Sequence, residues 1–266
     1  MNTEGTKKVL CIIMTYNRQH LLHDAVDQAY KQTIPVDLVI WNNGPKSHVD
    51  IPLFKFNEVQ VLHGINKIGL HQRFMPALLY PHEYVMFLDD DLIVGPQFLE
   101  SALEIIEQNE NALVVSMGSV MESPLNKYTI NHRIPIVGLS VKNSTPWHLD
   151  IGSMGVCVCK RKHVNSVFRN GFIPPHPAEE ISFSMMHKIY NKGDIILSPH
   201  HKEAVKGIVS FQDEHYDGLT SSPDFFEKRA EAIQSLGHKL GWVPNALSHE
   251  EWKPGGEAYR IIRTEK

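Results

Sequence analysis

Three consecutive carboxylates, Asp89, Asp90 and Asp91, close a short apolar run from Tyr84 to Leu88 (YVMFL). That run, bounded before it by the polar Pro81-His82-Glu83, reads as a buried parallel strand. Three like charges at the tip of a buried strand repel one another, so a cationic partner is expected beside them. In open α/β sheets the carboxyl ends of the strands are where ligands gather. Asp89 and Asp91 form an Asp-x-Asp pair of hard oxygen ligands suited to Mn2+ or Mg2+, and a metal held this way keeps positions open for substrate phosphates. The competing reading is that Asp91 and its neighbours only cap the helix that follows Pro96.

A second acidic pair, Glu179 and Glu180, follows the proline-rich Pro174-Pro-His-Pro177 and opens a helical stretch through Ile181, Met185 and His187. The helix dipole alone favours acids in a first turn. The chemical reading has one of the two facing an acceptor. Further along, His215 is a candidate metal ligand, and Lys228 and Arg229 are candidates to neutralise a leaving diphosphate. The default for the two basic residues is a solvated helix face.

The elements that must position these residues alternate. Lys8 to Met14 is a β-branched apolar run, followed by Thr15, Tyr16, Asn17 and Arg18 and then a helical pattern from Gln19 to Gln32. Val36 to Trp41 is a second strand, stopped by the turn Asn42-Asn43-Gly44-Pro45. A weaker strand, Val59 to His63, leads through Asn66 and Arg73 into a helix ending near Leu79, and the acidic strand comes fourth. This order predicts an α/β fold: a parallel sheet with right-handed crossovers and helices on both faces. Each strand delivers polar groups to one rim: Thr15 and Asn17, then Asn42 and Asn43, then Asn66 and Arg73, then the aspartates. Amides and hydroxyls there suit a base and ribose, and the aspartates suit a metal-bound diphosphate. Each asparagine taken alone is equally a turn residue or cap.

Beyond this half, the spacing predicts a helix from Pro96 to Gln108, a strand from Ala112 to Met117, and an excursion over 120–147 whose Ile134, Ile136, Val137 and Leu139 need burial. The Trp147 to Cys159 stretch alternates like a strand in its second half, a helix follows to Arg169, Asp194 to Leu197 is a further strand, and a helix runs from about Asp224 to Leu236. No Gly-x-Gly-x-x-Gly follows the first strand and no P-loop exists, which excludes the common dinucleotide and triphosphate motifs.

The 266 residues, 42% of them hydrophobic, fit one large domain in two halves. A formal charge of −4 with 26 dispersed basic residues gives no nucleic-acid stripe. No run approaches the roughly 18 apolar residues of a membrane span. The polar start, Met1 to Lys8, is unlike a signal peptide. Three cysteines fit a reducing, cytoplasmic setting, with Cys157 and Cys159 side by side on one strand face as core residues. Sixteen histidines show no His-Glu-x-x-His spacing, which disfavours a zinc hydrolase.

Taken together, Met14 to Arg18 after one strand, Trp41 to Gly44 after another, Asn66 to Arg73, and Phe87 to Asp91 resemble the nucleotide-sugar half of GT-A fold glycosyltransferases. The wording is closest to family 2 and exostosin-like enzymes. Ile151-Gly-Ser-Met-Gly155 resembles the glycine-bearing acceptor segment, and Glu179-Glu180-Ile181 stands where the family has its acidic pair, with Glu for the usual Asp at position 180.

The resemblance implies a single α/β GT-A domain over 1–266, built on a Rossmann-like mixed, mainly parallel sheet flanked by helices, with residues 8–118 binding the nucleotide sugar and 119–266 forming the acceptor half and tail. Thr15, Tyr16, Asn17, Arg18, Asn42, Asn43, Asn66 and Arg73 would line the nucleotide pocket, with Asp89 and Asp91 on Mn2+ or Mg2+ and Asp90 against the ribose or sugar. Glu180, with Glu179 beside it, is the expected catalytic carboxylate. The implied reaction is metal-dependent and moves a sugar from a nucleoside diphosphate sugar, UDP-linked ahead of GDP-linked, to a hydroxyl of a glycan, protein or lipid-linked acceptor. Its rivals are a sugar-nucleotide nucleotidyltransferase and a non-catalytic glycan- or nucleotide-binding module.

Overall fold

The computed structural model describes residues 9–16, 18–44, 59–64, 69–121, 133–137, 146–169, 178–199, 209–211 and 224–244, with 133–137 and 209–211 described as backbone only. Asn17, Asn66 and His215 lie outside the described residues. In chain order the strands are β1 (Val9–Thr15), β2 (Val36–Asn42), β3 (Gln60–His63), β4 (Tyr84–Asp89), β5 (Leu92–Val94), β6 (Leu113–Val115), β7 (Met117–Met121), β8 (Arg133–Val137), β9 (Trp147–Leu149), β10 (Ile151–Gly152), β11 (Val156–Lys160), β12 (Ile195–Leu197) and β13 (Val209–Phe211). The helices are α1 (Gln19–Tyr30), α2 (Pro76–Leu79), α3 (Phe98–Gln108), α4 (Arg161–Val164), α5 (Glu179–Met186) and α6 (Phe225–Leu240).

Eight strands form the main sheet in the order β3-β2-β1-β4-β11-β6-β12-β9. β1 pairs in parallel with β2 and with β4, so its seven residues are covered on both faces and on both edges. That is why β1 is apolar without alternation. Val9, Cys11 and Ile13 face one core with Leu22, Ala25 and Val26 of α1 and Phe98, Leu99 and Ala102 of α3. Leu10 and Ile12 face the other, with Phe74, Val164 and Phe183. Burying one such side chain contributes roughly 1.5–3 kcal/mol, so the sheet's centre is its most strongly held part.

β11 runs antiparallel between β4 and β6, pairing Val156 with Leu88 and Cys157 with Val115. Cys157 and Cys159 both face the second core, as their two-residue spacing predicts. The predicted strand over 112–117 is interrupted at Ser116: β6 stays in the main sheet and β7 leaves it to pair with β10 and β8. The helix expected before Leu79 is a 3-10 segment, Gly69–Phe74, followed by the single turn α2 with Pro76 at its start. Proline suits a first helical position because its missing N–H has no intrahelical partner there. β5 and β13 form a separate antiparallel pair just past the aspartates.

The 3-10 segment is fixed to both halves of the chain by Phe74. Its ring packs edge-on against Phe87 of β4 at 5.4 Å and against Phe183 of α5 at 5.1 Å between centroids. Residue 73 is thereby carried to the gap between the end of β4 and the start of α5.

Candidate active site

β4 ends at Asp89, and Asp90 and Asp91 make the turn into β5. Arg18, at the start of α1, reaches across from the neighbouring β1. Its Nη2 lies 2.7 Å from Asp90 Oδ1 and its Nη1 donates to Asp91 Oδ2. Asp90 is fully buried, and burial pushes its carboxyl up to about 7 even though Arg18 and Thr15 act to lower it. Asp91 is raised as well, by burial and then by the charge of Asp89, with Arg18 again opposing. The cation that the three-carboxylate sequence calls for is, for two of them, the guanidinium of Arg18.

Asp89 has a different partner. Arg73 Nη1 lies 3.0 Å from Asp89 Oδ1 and donates to the Met154 carbonyl at 2.9 Å, while its Nη2 lies 3.7 Å from Glu179 Oε1. Arg73 is buried, and Asp89, Glu179 and Glu180 together more than offset the desolvation that would lower its pKa. The Asp89 side chain keeps 29% of its surface exposed. Its backbone N–H donates to the Gly155 carbonyl at 2.8 Å, and a Cβ on Gly155 would sit 2.8 Å from Leu92 and 3.5 Å from Asp89 Oδ2. A side chain there would have to displace the end of Leu92 for β11 to close against the acidic end of β4.

On α5 the two glutamates have unlike surroundings. Glu179 is buried, and burial followed by the charge of Glu180 raises it to about 8, against the lowering effect of Arg73. Glu180 is paired with Arg229 of α6. Burial acts to raise Glu180, but the charge and hydrogen bond of Arg229, with backbone donors, outweigh it and hold the carboxyl below its ordinary value. Arg229 is itself buried, stacked 5.0 Å from the Phe225 ring. Its charge is engaged with Glu180 rather than facing an open diphosphate position. Lys228 lies on the surface, 2.6 Å from Asp224 one turn away.

The asparagines predicted at the rim sit at the end of β2 and are buried. Asn42 Oδ1 accepts from Gly44 N at 2.9 Å, and its amide meets His63 Nδ1 at 3.2 Å. Asn43 Oδ1 accepts from Gln72 Nε2 at 2.9 Å, which ties β2 to the 3-10 segment carrying Arg73. Gln72 is thus a positioning residue that sequence pattern does not reveal. Thr15 is buried at the end of β1, and its carbonyl accepts from Asn43 N at 2.8 Å. Tyr16 is 49% exposed at the same rim.

The donor chemistry fits a divalent cation shared with substrate rather than a closed protein cage. Asp89 and Asp91 supply hard oxygens, and each commits one oxygen to an arginine. No group of three or more His, Cys, Asp or Glu side chains able to hold a metal occurs among the described residues. Mg2+ and its congeners are commonly held by one or two carboxylates plus substrate phosphates.

Among solved structures, that of GalNAc-T7 with UDP, GalNAc and Mn2+ superposes with a TM-score of 0.63 at 12% identity, covering 98% of this chain and 58% of that one. The chain therefore spans less than two thirds of that protein's length, and the likeness at this identity is one of fold. A structure of residues 1–349 of TarS from S. aureus matches with a TM-score of 0.48 at 16% identity, over 73% of this chain and 59% of that one. No curated protein matches the sequence. The profile described as Glycosyl transferase family 2 matches residues 10–168, more than half of the chain and inclusive of β1, the acidic strand and β11. The chain has the GT-A glycosyltransferase fold and belongs to glycosyl transferase family 2.

Proposed function

We propose that this chain transfers a sugar from a nucleoside diphosphate sugar to an acceptor hydroxyl, with a divalent cation at the acidic strand end. The carrying observation is the convergence of Asp89, Asp90 and Asp91 with Arg18 and Arg73 at the carboxyl end of a central strand. Asp89 and Asp91 are the residues that would hold Mn2+ or Mg2+, which when bound acts as a Lewis acid on the diphosphate leaving group. Asp90 stays inside the turn as a support for Arg18. Arg18 offers a planar fork of donors to phosphate oxygens. Tyr16, exposed at the rim, offers an aromatic ring to the base. Arg73, tied to Asp89 and near Glu179, links the donor side of the site to the acceptor side.

Glu180 is the ionised and more accessible member of the acidic pair, and Arg229 fixes its orientation. It is assigned the acceptor hydroxyl, and general-base help of this kind is typically worth ~10² to 10⁴ in rate. Glu179, raised to about 8, stays as a buried partner of Arg73. Asn17, Asn66 and His215 are retained as the remaining candidates for the nucleotide and metal. Residues 8–118 are assigned the donor and residues 119–266 the acceptor. Three free, buried cysteines fit a cytoplasmic setting, and among the described residues no helix is long and apolar enough to cross a membrane.

The test is a thermal-shift panel of UDP, GDP, CDP, ADP and TDP with and without Mn2+. UDP with Mn2+ is the first pair to try, since the GalNAc-T7 structure contains both. A ligand that binds only the folded state raises its melting temperature by mass action. A Mn2+-dependent shift for one diphosphate, lost in Asp91→Asn, is the expected result. No shift with any diphosphate overturns the reading in favour of structural carboxylates.

A further inference from the structure

Arg18 and Arg73 hold the same acidic turn in different ways. Arg73 is locked: its side chain is 5% exposed, it donates to the Met154 carbonyl, and it also lies near Glu179. Arg18 keeps 35% of its side chain in contact with solvent while its two terminal nitrogens sit on Asp90 and Asp91. Asp91 Oδ2 cannot accept from a guanidinium and ligate a metal in the same place. A guanidinium and a divalent cation on neighbouring carboxylates also repel each other. A diphosphate resolves the conflict, because it offers Arg18 a bidentate anionic partner of the kind arginine suits best.

We propose that Arg18 is an exchangeable internal counter-ion: it occupies Asp91 when no ligand is bound, and it yields Asp91 to the divalent cation when a nucleoside diphosphate arrives to receive the guanidinium. The inference rests on the reading of Asp91 as a metal ligand. The site then takes up its metal together with the donor, and free metal alone competes poorly with Arg18. Arg73 takes no part in the exchange.

The experiment measures Mn2+ binding by loss of the free-ion electron paramagnetic resonance signal, using the full chain, wild type and Arg18→Gln, with and without UDP. Far-ultraviolet circular dichroism checks that the variant is folded. Without UDP, the variant is expected to bind Mn2+ at least tenfold more tightly than wild type. With UDP present, that advantage disappears or reverses, because wild-type Arg18 has moved to the diphosphate. Arg18→Lys, which keeps the charge but lacks the planar fork of donors, is expected to fall between the two and serves if the glutamine variant does not fold. Equal affinity of wild type and variant for Mn2+ alone, undetectable binding included, overturns the counter-ion role and leaves the metal reading to the UDP-dependent signal. No Mn2+ binding by any of the proteins even with UDP overturns the metal reading itself.

Discussion

Replacing Arg229 by leucine isolates the energetics of its pairing with Glu180. Arg229 and Glu180 have side-chain exposures of 5% and 16%, so the pair is largely withdrawn from water. Removing one partner of such a pair costs about 3–5 kcal/mol when the other is left charged. Glu180 has an escape, which is to take up a proton. In the wild type its carboxyl stands below the ordinary value of 4.5. That lowering contributes stability above the ordinary value and loses it as the pH falls. In Arg229→Leu, burial acts unopposed by Arg229 and the carboxyl is raised. Its contribution is then full below the ordinary value and is lost as the pH rises. The gap between the two proteins therefore widens with pH, from about 1 kcal/mol near pH 5 to about 3–5 kcal/mol at pH 8. Urea unfolding followed by circular dichroism at both pH values measures it. The double variant Arg229→Leu/Glu180→Leu is expected to recover most of the loss, because an apolar pair has no charge to desolvate. A loss equal at both pH values, or smaller than about 1 kcal/mol at pH 8, refutes the ion pair as described.

Glu179 carries the opposite sign. Its folded-state value is raised to about 8, so the stability it contributes is full below 4.5 and declines as the pH rises through 8. Glu179→Gln is expected to flatten the fall in melting temperature between pH 5 and 8, and parallel profiles for the two proteins would count against that environment. At Gly44 an added Cβ would lie 2.0 Å from the Tyr16 carbonyl oxygen. Because the obstacle is backbone, Gly44→Ala should cost about 1–3 kcal/mol and displace Tyr16, seen as a lower melting temperature and weaker nucleoside diphosphate binding. An unchanged melting temperature would mean that the close approach of the two strand ends has slack.

The first strands were legible because β1 and β4 carry unbroken apolar runs, and β2 one from Leu38 to Trp41, each ending in a polar cluster. The family resemblance rested on those same strand ends. Boundaries moved by one residue or so, Thr15, Asn42 and Asp89 each joining the strand before it. The pairings of charges were not legible. Arg18 meets Asp91 across 73 positions and Arg229 meets Glu180 across 49, distances over which no local pattern operates. Arg229 reads as a surface cation in a helix rich in charge, yet α6 packs on α5 through Ala232, Ile233 and Leu236 and buries it. β5 and β13 leave no sequence signal because three residues are too few to show a period. The break at Ser116 was hidden because Ala112 to Met117 looks like one strand whichever sheet each end enters.

The antiparallel insertion of β11 also governs how the chain reaches its fold. β4 and β6 are successive main-sheet strands in sequence, yet they are never neighbours, because residues 156–160 come back to fill the slot between them. During synthesis the strand bearing the aspartates therefore emerges well before its second edge partner does. In that interval it presents an apolar edge with open N–H and C=O groups, the kind of surface that templates aggregation. Closing the slot joins segments about seventy positions apart, a costly non-local step that slows folding relative to the local βα units before it. The acidic turn accordingly stays incomplete until Gly155 and Val156 arrive beside Asp89 and Leu88, which makes the N-terminal βα units dependent on chain the ribosome has yet to add.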